Sequence, residues 1–222
     1  MSGELVLYSY WRSSAAYRVR IALNLKKLPY ALQTVSLIQN GGEQHNVAYR
    51  QLNPQGLVPV LLDGERVFRQ SLAIIEYLED AYDGALQLLP SLARDRARVR
   101  ALAQMITCDI HPLGNQRVLQ YLDKEFSTPR IERQRWMLHW IQIGFNALEL
   151  LLHDHPSVGL FCEADVPGLA DCCLVPQVYN AYRWGLGMEP YPIIRRIHAT
   201  CMELQAFQHA APEAQPDAPQ PN

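Results

Sequence analysis

Over residues 1–83 the spacing of apolar positions changes several times, and each change predicts an element. Leu5-Val6-Leu7-Tyr8 is a short apolar run that ends in polar residues and predicts a strand. From Ala15 to Leu25 the positions Val19, Ala22 and Leu23, with Ile21 and Leu25, recur at helical spacing, Arg18 and Arg20 fall among them, and Pro29 stops the helix. Ala31 to Leu37 alternates and predicts a second strand, whereas Glu43 to Leu52, after the break at Gly41-Gly42, carries only a weak helical pattern. The turn Asn53-Pro54-Gln55-Gly56 leads into Val58 to Leu62 and Arg66 to Arg69, which flank the hairpin signal Asp63-Gly64. Leu72, Ile75 and Leu78, with Ile74 and Tyr77, predict a further helix that Ser71 suits as a cap. The order β-α-β-α-β-β-α implies a mixed sheet, because strands joined by a helix lie parallel and the hairpin pairs antiparallel.

Past Asp83-Gly84 the strand pattern disappears. Ser91 to Phe126 reads as one long helix with a kink at Pro112, and Thr128 to His153 as another, with Trp136, Trp140, Phe145 and Leu148 on its apolar face. Leu169 to Trp184 is almost continuously apolar, as a helix buried in a bundle would be, and Pro190-Tyr191-Pro192 opens a last helix through Phe207. The fold class is therefore an α/β domain followed by an all-α domain. Its boundaries fall at 1–83, a linker at 84–91, helices over 92–210, and a tail at 211–222 whose Pro, Ala and Gln content predicts disorder.

Composition narrows the function. With 222 residues, 49% hydrophobic and 19% charged, the chain suits an ordinary folded protein with a sizeable core. A net charge of −2 gives no basis for a nucleic-acid or membrane partner, and neither a membrane span nor a signal peptide is legible. Five cysteines, odd in number and without C-x-x-C spacing, argue against a disulfide framework or a zinc site and point to a reducing cytoplasm.

Candidate chemistry concentrates at the first strand-to-helix turn. A helix N-terminus collects unpaired N–H groups and partial positive charge, and so stabilises an anion. Here it is joined by the hydroxyls of Ser13 and Ser14 and the guanidinium groups of Arg12 and Arg18. Disulfide exchange at this turn is excluded, since a redox C-x-x-C is replaced by Ser and Ala, although helix capping alone also accounts for the serines. Val58-Pro59 begins a strand; a trans bond is the usual state, and a cis bond would present backbone to a peptide ligand. Gln70-Ser71 stands at a second helix start, suited to a carboxylate or to capping alone. Elsewhere bland readings prevail: His153-Asp154-His155 as a solvated loop, Cys172-Cys173 and the Trp136–Trp140 pair as core, Asp171 as a buried cap, and Arg94, Arg96, Arg98 and Arg100 as a solvated or dimer-facing stripe.

The segments Ser9-Tyr10-Trp11-Arg12-Ser13-Ser14, Arg18 to Leu23, Leu52-Asn53-Pro54, Val58-Pro59, Gln70 to Leu78 and Cys173 to Val178 together resemble the zeta-class glutathione transferases. That family includes maleylacetoacetate isomerases and bacterial glutathione-dependent maleylpyruvate isomerases. The resemblance runs from about Leu5 to Pro212. It implies the glutathione transferase fold, with a thioredoxin-like first domain, glutathione as cofactor, a homodimer, and isomerisation of a small dicarboxylate by reversible thiolate addition to its conjugated double bond. Carried over, Ser13 and Ser14 match the hydroxyls at the glutathione sulfur, with Arg12 beside them. Val58, before a cis Pro59, matches the backbone that pairs with the cysteinyl unit. Gln70 and Ser71 match the γ-glutamyl carboxylate site, with Gln44 at the glycyl end and His111 and Asn115 closing over glutathione. Arg12, Arg117 and Arg183 match the substrate-carboxylate arginines, and no metal is implied. Two departures stand out: Ala15 replaces a cysteine of the animal members, and Gly168 replaces the usual Ser or Thr before Leu169. Maleylacetoacetate is the substrate expected, with maleylpyruvate or general conjugation of small electrophiles as alternatives.

Overall fold

A computed structural model describes residues 3–83 and 86–220. Strand β1 (Leu5–Ser9) lies between β2 (Tyr30–Thr34) and β3 (Val60–Asp63), with β4 (Arg66–Arg69) outside β3, so that the four-stranded sheet has the order β2-β1-β3-β4. The β1–β2 pair is parallel and the other two are antiparallel, as a helix crossover and a D-G hairpin require. Helices α1 (Ser14–Leu25) and α3 (Ser71–Ala81) pack against one another, burying Val19, Leu23, Ile74, Ile75 and Leu78. A second apolar cluster of Tyr10, Val35, Tyr49, Val58 and Val60 forms around the short α2 (Val47–Leu52).

The structure amends several boundaries. Strand β2 stops at Thr34, and the weak pattern over Glu43 to Leu52 divides into a 3-10 turn (Glu43–His45) and α2. Gln70, at φ 69°, occupies the cap position of α3, so Ser71 is the first residue inside the helix and not its cap. The Val58–Pro59 bond is cis.

The largest amendment concerns the chain's end. Met1–Leu88 and Met202–Asn222 form one compact unit, and Leu89–Cys201 forms another. The disorder predicted over 211–222 is therefore corrected for 211–220. Pro212 and Gln215 are buried, Gln215 Nε2 donates to the carbonyls of His209 (2.9 Å) and Ala211 (2.9 Å), and Asp217 accepts from the backbone of Trp11. Composition suggested a loose tail, but specific hydrogen bonds to the N-terminal residues order it.

The second unit is helical. The predicted helix over Ser91 to Phe126 is broken rather than kinked: α4 (Ala93–Gln104) passes into a π-helical segment (Met105–Ile110), a 3-10 turn (His111–Gly114) containing Pro112, and then α5 (Gln116–Phe126). Long α6 (Arg130–Leu152) and α7 (Leu169–Trp184) build the core with Phe145, Leu148, Leu174 and Val178. The last predicted helix is interrupted near Glu203, giving α8 (Pro192–Met202) and α9 (Gln205–Gln208). In the first turn of α7, buried Asp171 accepts the N–H groups of Gly168 (2.8 Å) and Cys162 (3.0 Å), so a carboxylate fixes the helix start that Gly168 has no hydroxyl to cap. No described helix is long and apolar enough to cross a membrane.

Candidate functional site

The strand register decides which of the sequence-selected residues meet. Tyr8 of β1 is paired with Val60 of β3, and Val60 in turn with Arg69 of β4. The end of β1, the start of β3 and the end of β4 therefore lie side by side. The next residues along each strand are the Ser9–Ser14 turn, the Val58-Pro59 step and Gln70-Ser71. Parallel pairing of Ser9 with Thr34 brings β2 to the same end, and the Val35 N–H donates to the Ser9 carbonyl at 2.8 Å. From there the chain continues into the turn that carries Gln44, tied back by the Glu43 N–H on the Ser36 carbonyl (2.8 Å). One end of one sheet thus gathers five of the predicted cofactor residues: Ser13, Ser14, Val58, Gln70 and Ser71, with Gln44 on the adjoining turn.

Within the turn, Ser13 caps α1: its Oγ accepts the Ala16 N–H at 3.2 Å. Capping and anion binding are compatible. A hydroxyl that accepts through a lone pair still has its own proton to donate, and Ser13 is only half-buried. Ser14, the first helical residue, is buried. Arg12 is half-buried with its guanidinium carbon 5.2 Å from the Trp11 ring centroid. Ala15 brings no sulfur, and the chain's first cysteine is Cys108, so no described part of the N-terminal unit contains a thiol.

Beneath the turn lies Arg20, fully buried on α1. Its guanidinium donates to Ser9 Oγ (3.0 Å), to the carbonyls of Tyr10 (3.4 Å) and Trp11 (3.0 Å), and to the Ala210 carbonyl (2.9 Å). Burial lowers its pKa to about 10, which leaves it charged at neutral pH. Arg18, one face over, donates to Ser71 Oγ at 3.2 Å. That bond aims a buried positive group at the start of α3 and leaves the Ser71 proton available to a carboxylate. Gln70 is exposed and its amide donates to Gln55 Oε1 at 2.8 Å.

Gln44 is buried, its Nε2 lies 3.1 Å from His45 Nε2, and its Oε1 has no hydrogen-bond partner among the described residues. A buried acceptor left unpaired costs free energy, so this oxygen is poised for an incoming donor. Gly42 lets the two residues approach: at φ +100° it has a conformation side chains disfavour, and a Cβ there would sit 2.5 Å from Gln44 Nε2.

In the helical unit, His111 begins the 3-10 turn after the π-segment, and Asn115 caps α5 by accepting the Arg117 N–H at 3.1 Å. Arg117 is exposed, as is Arg183 near the end of α7, whose guanidinium lies over Trp184 at 5.2 Å. Both stretches hang on the same level of α6: Trp136 Nε1 donates to the Leu113 carbonyl (2.7 Å) and Gln134 Nε2 to the Trp184 carbonyl (3.1 Å). Burial raises the pKa of the thiols of Cys162, Cys172 and Cys201, which holds them protonated.

Two residues at the first turn were not singled out in the sequence, Arg20 and Asp217. Arg20 had a signal, since it falls on the apolar face of α1 where a charge requires partners. Asp217 had none, because its partner is 206 positions away.

Comparison with known proteins places the chain in a family. Residues 7–86 match the family described as glutathione S-transferase, N-terminal domain. The chain is 51% identical over 215 residues to a Vibrio cholerae protein named "Probable maleylacetoacetate isomerase", covering 97% of this chain and 99% of that one. It superposes with TM-score 0.93 and 48% identity on a holo maleylpyruvate isomerase described as a bacterial zeta-class glutathione S-transferase, covering 96% of this chain and all (100%) of that one. A maleylacetoacetate isomerase from Methylobacterium extorquens AM1, solved with bound malonate and glutathione, gives TM-score 0.93 at 38% identity over 97% of this chain and 100% of that one. By sequence over its whole length and by fold, this chain belongs to the zeta-class glutathione transferase family.

Proposed function

We propose that the protein is a glutathione-dependent cis–trans isomerase that converts maleylacetoacetate to fumarylacetoacetate. The observation that carries this reading is the assembly, at one sheet end without a protein thiol, of a helix N-terminus, a free-proton hydroxyl and an orphaned buried acceptor. Glutathione suits each feature. Gln44 Oε1 would accept an N–H from its glycyl end, Val58 would pair with its cysteinyl backbone, and Ser71 with the start of α3 would take its γ-glutamyl carboxylate. Gln70 belongs to the same set. When bound, glutathione supplies the thiolate whose reversible addition to the conjugated double bond permits rotation.

The chain's own residues have three tasks. Ser13 donates its hydroxyl proton towards the sulfur while its lone pair caps α1. The positive end of α1, with buried Ser14 as its first residue, favours an anion there and lowers the thiol pKa. Arg12, Arg117 and Arg183 hold the substrate carboxylates, for which the planar guanidinium offers two parallel donors. A donor placed where charge develops is worth roughly 3–4 kcal/mol in other enzymes.

Maleylpyruvate is the second substrate reading, favoured by the close match to a maleylpyruvate isomerase structure. A homodimer in a reducing cytoplasm belongs to the proposal; that the five cysteines form no disulfide among the described residues supports the reducing setting. Steady-state turnover of both maleyl compounds, with and without glutathione, tests the reading. Glutathione-dependent formation of the fumaryl product supports it. Turnover of neither compound, or faster conjugation of a model aryl halide, would replace it with general transferase activity or none.

A further inference from the structure

We infer that Asp217, on the C-terminal tail, is a positioning residue for the thiolate turn. This rests on the proposed role of Ser13 and Ser14. The C-terminal segment reaches the turn directly at Trp11 and indirectly through Arg20. Asp217 Oδ2 accepts the Trp11 N–H at 2.9 Å, and the Ala210 carbonyl accepts from Arg20 at 2.9 Å, the same guanidinium that holds Ser9 and the carbonyls of Tyr10 and Trp11. The turn is thus gripped from both sides, its carbonyls by Arg20 from within α1 and its N–H by Asp217 from the tail. Asp217 is half-buried, and its negative charge opposes the desolvation of Arg20. The tail segment is itself fixed: Gln215 ties the carbonyls of His209 and Ala211, and Pro212 is buried. A carboxylate acceptor makes a stronger bond to a backbone N–H than a neutral one does. Trp11 precedes Ser13 by two residues, so a shift of its peptide plane is transmitted to the hydroxyl and to the first N–H groups of α1. Catalytic groups tolerate little such displacement.

The test compares Asp217→Ala and Asp217→Asn with the parent protein. Hydrogen–deuterium exchange of the Trp11 amide, measured without glutathione, should rise about tenfold in Asp217→Ala, the effect of losing one hydrogen bond. Exchange in α3 should stay unchanged. With glutathione, the titration of the bound thiol, followed by its thiolate absorbance, should move to higher pH. kcat should fall several-fold while KM for the dicarboxylate holds. Asp217→Asn retains an acceptor oxygen and should rescue most of the exchange protection. Unchanged Trp11 exchange in Asp217→Ala would overturn the inference, and so would an exchange increase spread evenly over the N-terminal unit. Because exchange needs no ligand, it decides this inference even if the parent binds no glutathione, an outcome that would count against the proposed function instead.

Discussion

The two units bury different things. In the N-terminal unit the buried polar residues include the Lys26–Glu79 ion pair, Asn53 and Gln215, and a further group, Ser9, Ser14, Arg18, Arg20, Gln44 and Ser71, lies at or beneath the end of the sheet where the candidate site forms. In the helical unit the buried polar residues are Asp171 and Gln177, while Arg117 and Arg183 stay exposed. Burying a polar group is costly unless it is paired, so the first pattern fixes a shape at the expense of desolvation. Exposed arginines carry no such cost and leave stability nearly independent of which side chain is present. The contrast gives the N-terminal unit a preorganised polar frame and leaves these two arginines at the surface of the helical unit.

Exchanging a charge in each unit breaks this contrast most severely. Arg20→Ala strands the carbonyls of Trp11 and Ala210 and should destabilise the protein by about 4 kcal/mol in chemical denaturation. Arg183→Ala should change stability by less than about 0.5 kcal/mol. Similar losses from both would erase the distinction between the units. Next comes Ser13. Ser13→Ala should lower turnover about 100-fold and cost about 1 kcal/mol of stability through the lost cap. Ser13→Gly should recover the stability to within a few tenths of a kcal/mol but not the turnover. If Gly restored both, Ser13 would be a cap only.

Arg183→Ala itself should reduce kcat/KM for the dicarboxylate about 30-fold and leave the glutathione Kd unaltered, which calorimetry and steady-state kinetics separate. Equal losses in both would make Arg183 structural. Gln44→Ala should weaken glutathione binding about tenfold while lowering the melting temperature only slightly, because the protein loses the Nε2 contact to His45 but Gln44 Oε1 has no partner among the described residues.

The smallest effect concerns pH and lies away from the site. Burial pushes the Asp63 carboxyl up, but hydrogen bonds from Tyr77 (2.5 Å), Tyr82 (2.9 Å) and the Gly3 N–H (2.8 Å) outweigh it and hold the pKa below its usual value. A lowered folded-state pKa contributes stability above the unfolded value and loses it as pH falls through the folded one. Tyr77→Phe should therefore cost about 1 kcal/mol at neutral pH, and its deficit should shrink in acid, as pH falls through the lowered folded-state value of Asp63. Thermal melts across that range check the sign.

Much of this was legible in the sequence where the signal is local. The apolar run of β1, the helical spacing of α1 and the Asp63-Gly64 hairpin place the first turn, and the turn's serines and arginines mark a candidate anion site. What escaped was non-local or nearly degenerate. The Pro-rich tail has the composition of a loose segment, and its order depends on bonds to Trp11 and Arg20 that no window along the chain can reveal. Gln70 and Ser71 are neighbours at a helix start, and only the backbone, with φ 69° at Gln70, decides which one caps it. The π-segment after Gln104 contains neither Gly nor Pro, and Ile106 to Ile110 are only middling helix formers, so no sharp local signal marks where the regular helix ends.

The central claim is that glutathione acts as a recycled cofactor in isomerisation. Proton NMR of each maleyl compound with the protein and a substoichiometric amount of glutathione measures it directly. The account predicts full conversion of one of them to the trans isomer, with glutathione recovered as the free thiol. No conversion, or conversion that halts when an equal amount of glutathione has been alkylated, would contradict it.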